Sequence, residues 1–114
     1  MSSWTHIIAT IDVETFIEDI EIKTKVEDIL KDAPKITGSE GNADIFVNIL
    51  SDFNISKWNF EKDKFDHFQS RVVITIMGDL RDREIKKTGK EYCKFYNFIK
   101  NKFWIRNSTY KIIT

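Results

Sequence analysis

The stretch SRVVITIMGDLRDR, Ser70 to Arg83, decides how the chain folds. Val72 to Met77 is an unbroken β-branched and apolar run, the pattern of a strand buried on both faces. The run stops at Gly78-Asp79, and five charged residues, Asp79, Arg81, Asp82, Arg83 and Glu84, follow at once. Beyond Glu84 the apolar spacing turns helical, with Ile85, Tyr92, Phe95, Tyr96 and Ile99 on one stripe. A central strand over 71–77 therefore delivers a polar tip onto a helix within about 80–101. Thr88-Gly89-Lys90-Glu91 has the form of a capping box that restarts this helix.

Outward from this centre, Trp4 to Val13 alternates. Thr5, Ile7, Ala9, Ile11 and Val13 share one face and Trp4, His6, Ile8, Thr10 and Asp12 the other, giving a strand with one apolar side. Ile22, Val26, Ile29 and Leu30 recur at helical spacing, which places a helix over 19–32 that Pro34 closes. The connector Thr37-Gly38-Ser39-Glu40-Gly41-Asn42 is made of turn formers. After it Ala43, Ile45, Val47 and Ile49 alternate as a second strand. Between 51 and 69 five aromatics, Phe53, Trp58, Phe60, Phe65 and Phe68, lie among charges. We read them as a hairpin arm extending the second and third strands, the alternative being an irregular loop over the sheet. Phe103 to Ile113 is β-rich and closes the sheet. The order strand, helix, strand, strand, helix, strand, wound with a right-handed crossover, predicts an α+β, ferredoxin-like sandwich. Its four antiparallel strands run in the order four-one-three-two, with both helices on one face and residues 1–114 in a single domain.

A chain of 114 residues buries a core without needing metals or disulfides. Eighteen Lys and Arg balance eighteen Asp and Glu, so net charge argues for neither nucleic acid nor membrane. The distribution is uneven: residues 1–57 carry eleven acids and five bases, residues 58–114 seven and thirteen. That predicts either an acidic first helix beside a basic second one, or a basic surface for an anionic ligand. Cys93 stands alone, which rules out an internal disulfide and makes a reducing cytoplasm the expected setting. It reads as a small buried core residue rather than a nucleophile. No apolar run approaches membrane-spanning length, and the N-terminus lacks a leader pattern.

In the predicted winding, one end of the sheet gathers the starts of strands one and two and the end of strand three. These are Ser2-Ser3-Trp4-Thr5-His6, Gly38-Ser39-Glu40-Gly41-Asn42 and Gly78-Asp79-Leu80-Arg81-Asp82-Arg83. The second helix begins there too, and its free N–H groups favour an anion. Arg81 and Arg83 supply forked donors for a phosphate or carboxylate, with Trp4 as a stacking surface. Each part also has a purely internal reading. The glycines make turns, Asp79 or Asp82 caps the helix, the arginines pair with neighbouring acids, Trp4 covers an edge and His6 is structural.

Several chemistries can be set aside. Two separate histidines and one cysteine cannot build a structural zinc site. No Walker loop, dinucleotide fingerprint, serine elbow or HExxH motif is present. Neither His6-Ile7-Ile8 nor His67-Phe68-Gln69 fits a two-histidine phosphoesterase, and no cofactor is implied. Glu40, Asp79 and Asp82 could converge on a divalent ion. Trp104 and Tyr110 on the last strand keep an RNA-binding sheet face in view, although VVITIMG lacks the aromatic signature of such modules.

The blocks MSSWTHI, ITGSEGNADIFVN and VVITIMGDLRDR, together roughly a third of the chain, resemble a family of small uncharacterised proteins of bacteria and their phages. The resemblance implies a stand-alone phage- or prophage-type domain, an accessory or counter-defence factor, and it brings no catalytic residues. The expected function is a non-enzymatic binding protein holding an anionic, nucleotide-like small molecule at Trp4, His6, Ser39, Glu40, Asp79, Arg81 and Arg83. One alternative is a protein-interaction or inhibitor module in which Phe53, Trp58, Phe60 and Phe65 dock a partner, or a second copy to give a homodimer. The other is a metal-assisted phosphoester enzyme, which lacks a nucleophile with an oriented base.

Overall fold

The computed structural model describes residues 4–15, 22–51, 58–59, 64–65 and 70–114, with backbone alone at 50–51, 58–59, 64–65 and 70. Along the chain the elements are β1 (Trp4–Thr15), α1 (Ile22–Leu30), β2 (Thr37–Gly38), β3 (Gly41–Asn42), β4 (Asp44–Ser51), β5 (Trp58–Asn59), β6 (Lys64–Phe65), β7 (Ser70–Arg81), α2 (Ile85–Lys102) and β8 (Trp104–Ile113). The long strands pair side by side as β4-β7-β1-β8, every neighbour antiparallel. The class is α+β, one four-stranded antiparallel sheet with two helices. Two short ladders, β2–β3 and β5–β6, are additional to the expected six elements. The second pairs Trp58 with Phe65. The remainder of the aromatic arm, with Phe53, Phe60, Phe68 and the side chains of Trp58 and Phe65, lies outside the described residues.

Period-two alternation puts the core on one face. Ile7, Ala9, Ile11 and Val13 of β1 stand beside Gly78, Ile76, Ile74 and Val72 of β7, and all the apolar ones are buried. Ile22, Val26 and Leu30 of α1 and Tyr92, Phe95 and Ile99 of α2 close over them in the same cluster, so both helices cover that face. α1 lies over β4, and α2 over β8 and β1. Each fully buried aliphatic side chain contributes about 1.5–3 kcal/mol relative to exposure.

Four expectations need correcting. First, β7 does not end at Met77 but runs on through Gly78 to Arg81, and only its even positions are buried. Val73 and Thr75 are half-buried and Met77 is exposed, because both helices sit on the other side. Second, α2 starts at Ile85 and passes straight through Gly89. Its N-cap is Glu84 with no side-chain cap bond, so neither Asp79 nor Asp82 caps it. Asp82 instead takes a left-handed conformation (φ 59°) that turns β7 toward α2, a region Asp tolerates. Thr88 is buried within the helix and no capping box forms there. Third, Cys93 is exposed. The buried stripe of α2 is Thr88, Tyr92, Phe95 and Ile99, and Cys93 lies about 100° around the helix from Tyr92. Fourth, α1 as described is not acidic: it carries Lys23, Lys25, Glu27 and Asp28 in balance, while α2 carries six lysines and one glutamate, and Asp19 and Glu21 of the expected first helix lie outside the described residues. Among the described residues no helix is long and apolar enough to cross a membrane.

Candidate functional site

The polar segments at the sheet end do meet. Ser39 N–H donates to the Arg81 carbonyl at 3.0 Å, and Ser39 Oγ donates to Asp82 Oδ2 at 2.9 Å. Gly38 makes this approach possible, since a Cβ there would stand 2.8 Å from the Gly41 carbonyl oxygen and 3.1 Å from Leu80 Cα. Arg81 forms an ion pair with Glu40, and its guanidinium lies 5.9 Å from the Trp4 ring centre. His6 Nδ1 and Asp79 Oδ1 stand 2.5 Å apart.

The continuation of β7 changes what this cluster can do. Asp79 pairs with His6 and Arg81 with Trp4 across the β1–β7 ladder, so these four belong to the face the helices leave open. Arg83 belongs to the helix side. Its Nη1 donates to the Asp82 carbonyl at 3.0 Å, and its Nε reaches Thr37 Oγ1 at 3.4 Å. Thr37 in turn donates its N–H and its hydroxyl to Glu91 of α2, both at 2.7 Å. The sheet therefore separates the two arginines, and the start of α2 does not face Arg81. Glu40, Asp79, Asp82 and Glu84 outnumber Arg81 and Arg83, and Glu40 already occupies Arg81. An anion arriving here would have to displace a carboxylate. Among the described residues no three His, Cys, Asp or Glu side chains gather as metal ligands, so Glu40, Asp79 and Asp82 do not form a cation site.

A different concavity has the chemistry the sheet end lacks. A groove of about 710 Å³ runs between α2 and the edge strand β8, in the size range of small-molecule sites. Lys86, Lys90 and Lys94 line it from α2, and Tyr92, Tyr96 and Tyr110 supply its aromatic surface. Four-residue spacing places successive lysines about 6 Å apart along one side of the helix. Its lining holds no carboxylate, and none of these lysines has an ion pair among the described residues.

The tyrosines are graded in exposure. Tyr110 is 64% exposed, while Tyr92 is only 4% exposed. Their rings stand 5.0 Å apart, and Tyr92 lies 6.3 Å from Tyr96. Tyr110 reaches the helix side because it pairs with Ala9 of β1, whose side chain is in the core. It is therefore not on the open sheet face where an RNA-binding reading would put it. The Tyr92 hydroxyl is buried without a hydrogen-bond partner among the described residues. Burial, helped by Tyr96 and Tyr110, pushes its pKa up to about 12, so the phenol stays neutral.

The sequence shows the basic second half, but of the residues lining this groove only Tyr110 was offered as a candidate, and for the opposite sheet face. The i, i+4, i+8 lysines were the available signal. What was missing was the register that carries Tyr110 to the same side.

Comparison with protein-family models, with curated proteins and with solved structures finds no match. The functional reading accordingly rests on residues and geometry.

Proposed function

We propose that this protein is a non-enzymatic binding protein on a ferredoxin-like plan, and that it holds an anionic, nucleotide-like small molecule in the α2–β8 groove. The observation that carries the reading is the lining itself: three lysines without carboxylate partners share one groove with three tyrosines. Lysine ammonium groups attract phosphate as point charges, and an exposed Tyr110 ring offers a planar face to a base. The sheet end, with its arginines divided between two faces and Arg81 held by Glu40, serves the architecture. The groove holds no histidine or carboxylate to act as a base beside Cys93, which is why we favour binding over turnover. Sequestering such a molecule would suit the counter-defence role that the phage-type blocks imply.

A thermal-shift panel tests this reading. Nucleoside triphosphates, nucleosides without phosphate, and inorganic tripolyphosphate separate the contributions of ring and charge. Ligand at 100 times its Kd stabilises the fold by about 2.7 kcal/mol. The expected order is nucleoside triphosphate above tripolyphosphate, with the bare nucleoside last. No shift with any phosphate compound would refute the assignment.

A further inference from the structure

The open face of the sheet carries Ile8, Phe46, Met77 and Ile113, each 46–49% exposed. Single exposed apolar residues need no explanation, but these four are neighbours. Ile8 stands opposite Met77, with Phe46 and Ile113 one row away on either side. One row crosses all four strands: Asp44 of β4 pairs with Met77, Met77 with Ile8, and Ile8 with Lys111 of β8. All four line one shallow concavity of about 380 Å³. The row therefore reads acid, apolar, apolar, base. Neither Asp44 nor Lys111 has an ion pair among the described residues.

We propose that this face is the seat of a second copy of the chain, the two related by a two-fold axis between the sheets that runs along the strands. Such an axis keeps each row at its own level and reverses it. Asp44 of each copy then meets Lys111 of the other, and Met77 meets Ile8, so both ends and the centre are satisfied together. An axis across the strands would instead set Asp44 on Asp44 and Lys111 on Lys111, which like-charge repulsion opposes. Face-packed sheets lie about 10 Å apart with strands within about 30° of each other, which either axis allows, so the charges decide between them. Four strands about 4.8 Å apart and about eight residue levels roughly 3.3 Å apart make a face on the order of 500 Å². Two such faces give roughly 1,000 Å², about the least a biological interface buries and in the range of weak, reversible pairs. The charge pattern thus selects both the occupant and the orientation.

Sedimentation equilibrium of the full chain at concentrations up to about 1 mM tests this. Wild type is expected as a monomer–dimer equilibrium. Lys111→Glu alone sets two acids against each other at both ends of the row, and Asp44→Lys alone does the same with bases. Each should weaken the dimer about tenfold, and the double exchange Asp44→Lys/Lys111→Glu should restore it to within about threefold. Met77→Lys should weaken it without rescue from either exchange. Circular dichroism separates these effects from unfolding, since all three positions are exposed. A wild type that stays monomeric, a dimer indifferent to all four variants, or single exchanges that the double exchange does not rescue would each overturn the proposal.

Discussion

Arg81 of β7 and Glu40 of the turn between β2 and β3 form an ion pair on the side of the sheet that α2 does not cover. Their side chains are 37% and 59% exposed, so solvent screens the pair and its contribution is at most about 1 kcal/mol. Arg81→Ala should therefore cost about 0.5–1 kcal/mol in a denaturant titration. It should leave nucleoside-phosphate affinity unchanged to within about twofold, because the groove lies on the other face. Loss of affinity in this variant would return the site to the sheet end.

Tyr92 gives a pH-dependent signature. Its folded pKa, near 12, lies above the ordinary value of 10.0. Above about pH 10 the unfolded chain releases this proton while the folded chain keeps it, so the unfolded state is favoured as pH rises through the window from 10 to 12. The phenolate absorbance titration of the three tyrosines should show one late step near pH 12 that Tyr92→Phe removes. A titration in which that step is already complete near pH 10 would contradict the burial described for this hydroxyl.

Among the described residues Phe95 is the largest fully buried side chain, and it joins α2 to the sheet. Phe95→Ala should destabilise the fold by about 3–5 kcal/mol, a large fraction of the total stability of a domain this size. Denaturant unfolding followed by circular dichroism measures it. A cost under about 1 kcal/mol would mean that α2 does not pack as described.

How far the sequence could be read follows from which signals are local. The alternation in β1 and the Tyr92-Phe95-Ile99 spacing in α2 are carried by nearby residues, so the class and the order of the long elements were legible, whereas Ile85, expected on that stripe, is exposed and Thr88 takes a place on it. The end of β7 was not, because Gly78, Asp79 and Asp82 are turn formers by type. Leu80 was the contrary clue: it continues the even, buried series of Val72, Ile74 and Ile76 and places Asp79 and Arg81 on the opposite face. The expected site gathered the right segments and misjudged their sides. The groove and the Asp44–Lys111 row depend on strand register, which sets residues 101 positions apart (Ala9 and Tyr110) or 67 apart (Asp44 and Lys111) at one level. No single segment carries that information.

In the proposed assignment the lysines of α2, rather than the arginines of β7, hold an anionic ligand. Calorimetric titration of wild type, Arg81→Ala and Lys90→Glu/Lys94→Glu with one nucleoside triphosphate tests it directly, at about 0.1 M and then about 1 M salt, where the screening length falls from about 10 to about 3 Å. We predict binding by wild type and Arg81→Ala that weakens at high salt, and at least a tenfold loss in the double lysine variant. Undiminished binding by the lysine variant, or loss in Arg81→Ala alone, would contradict it.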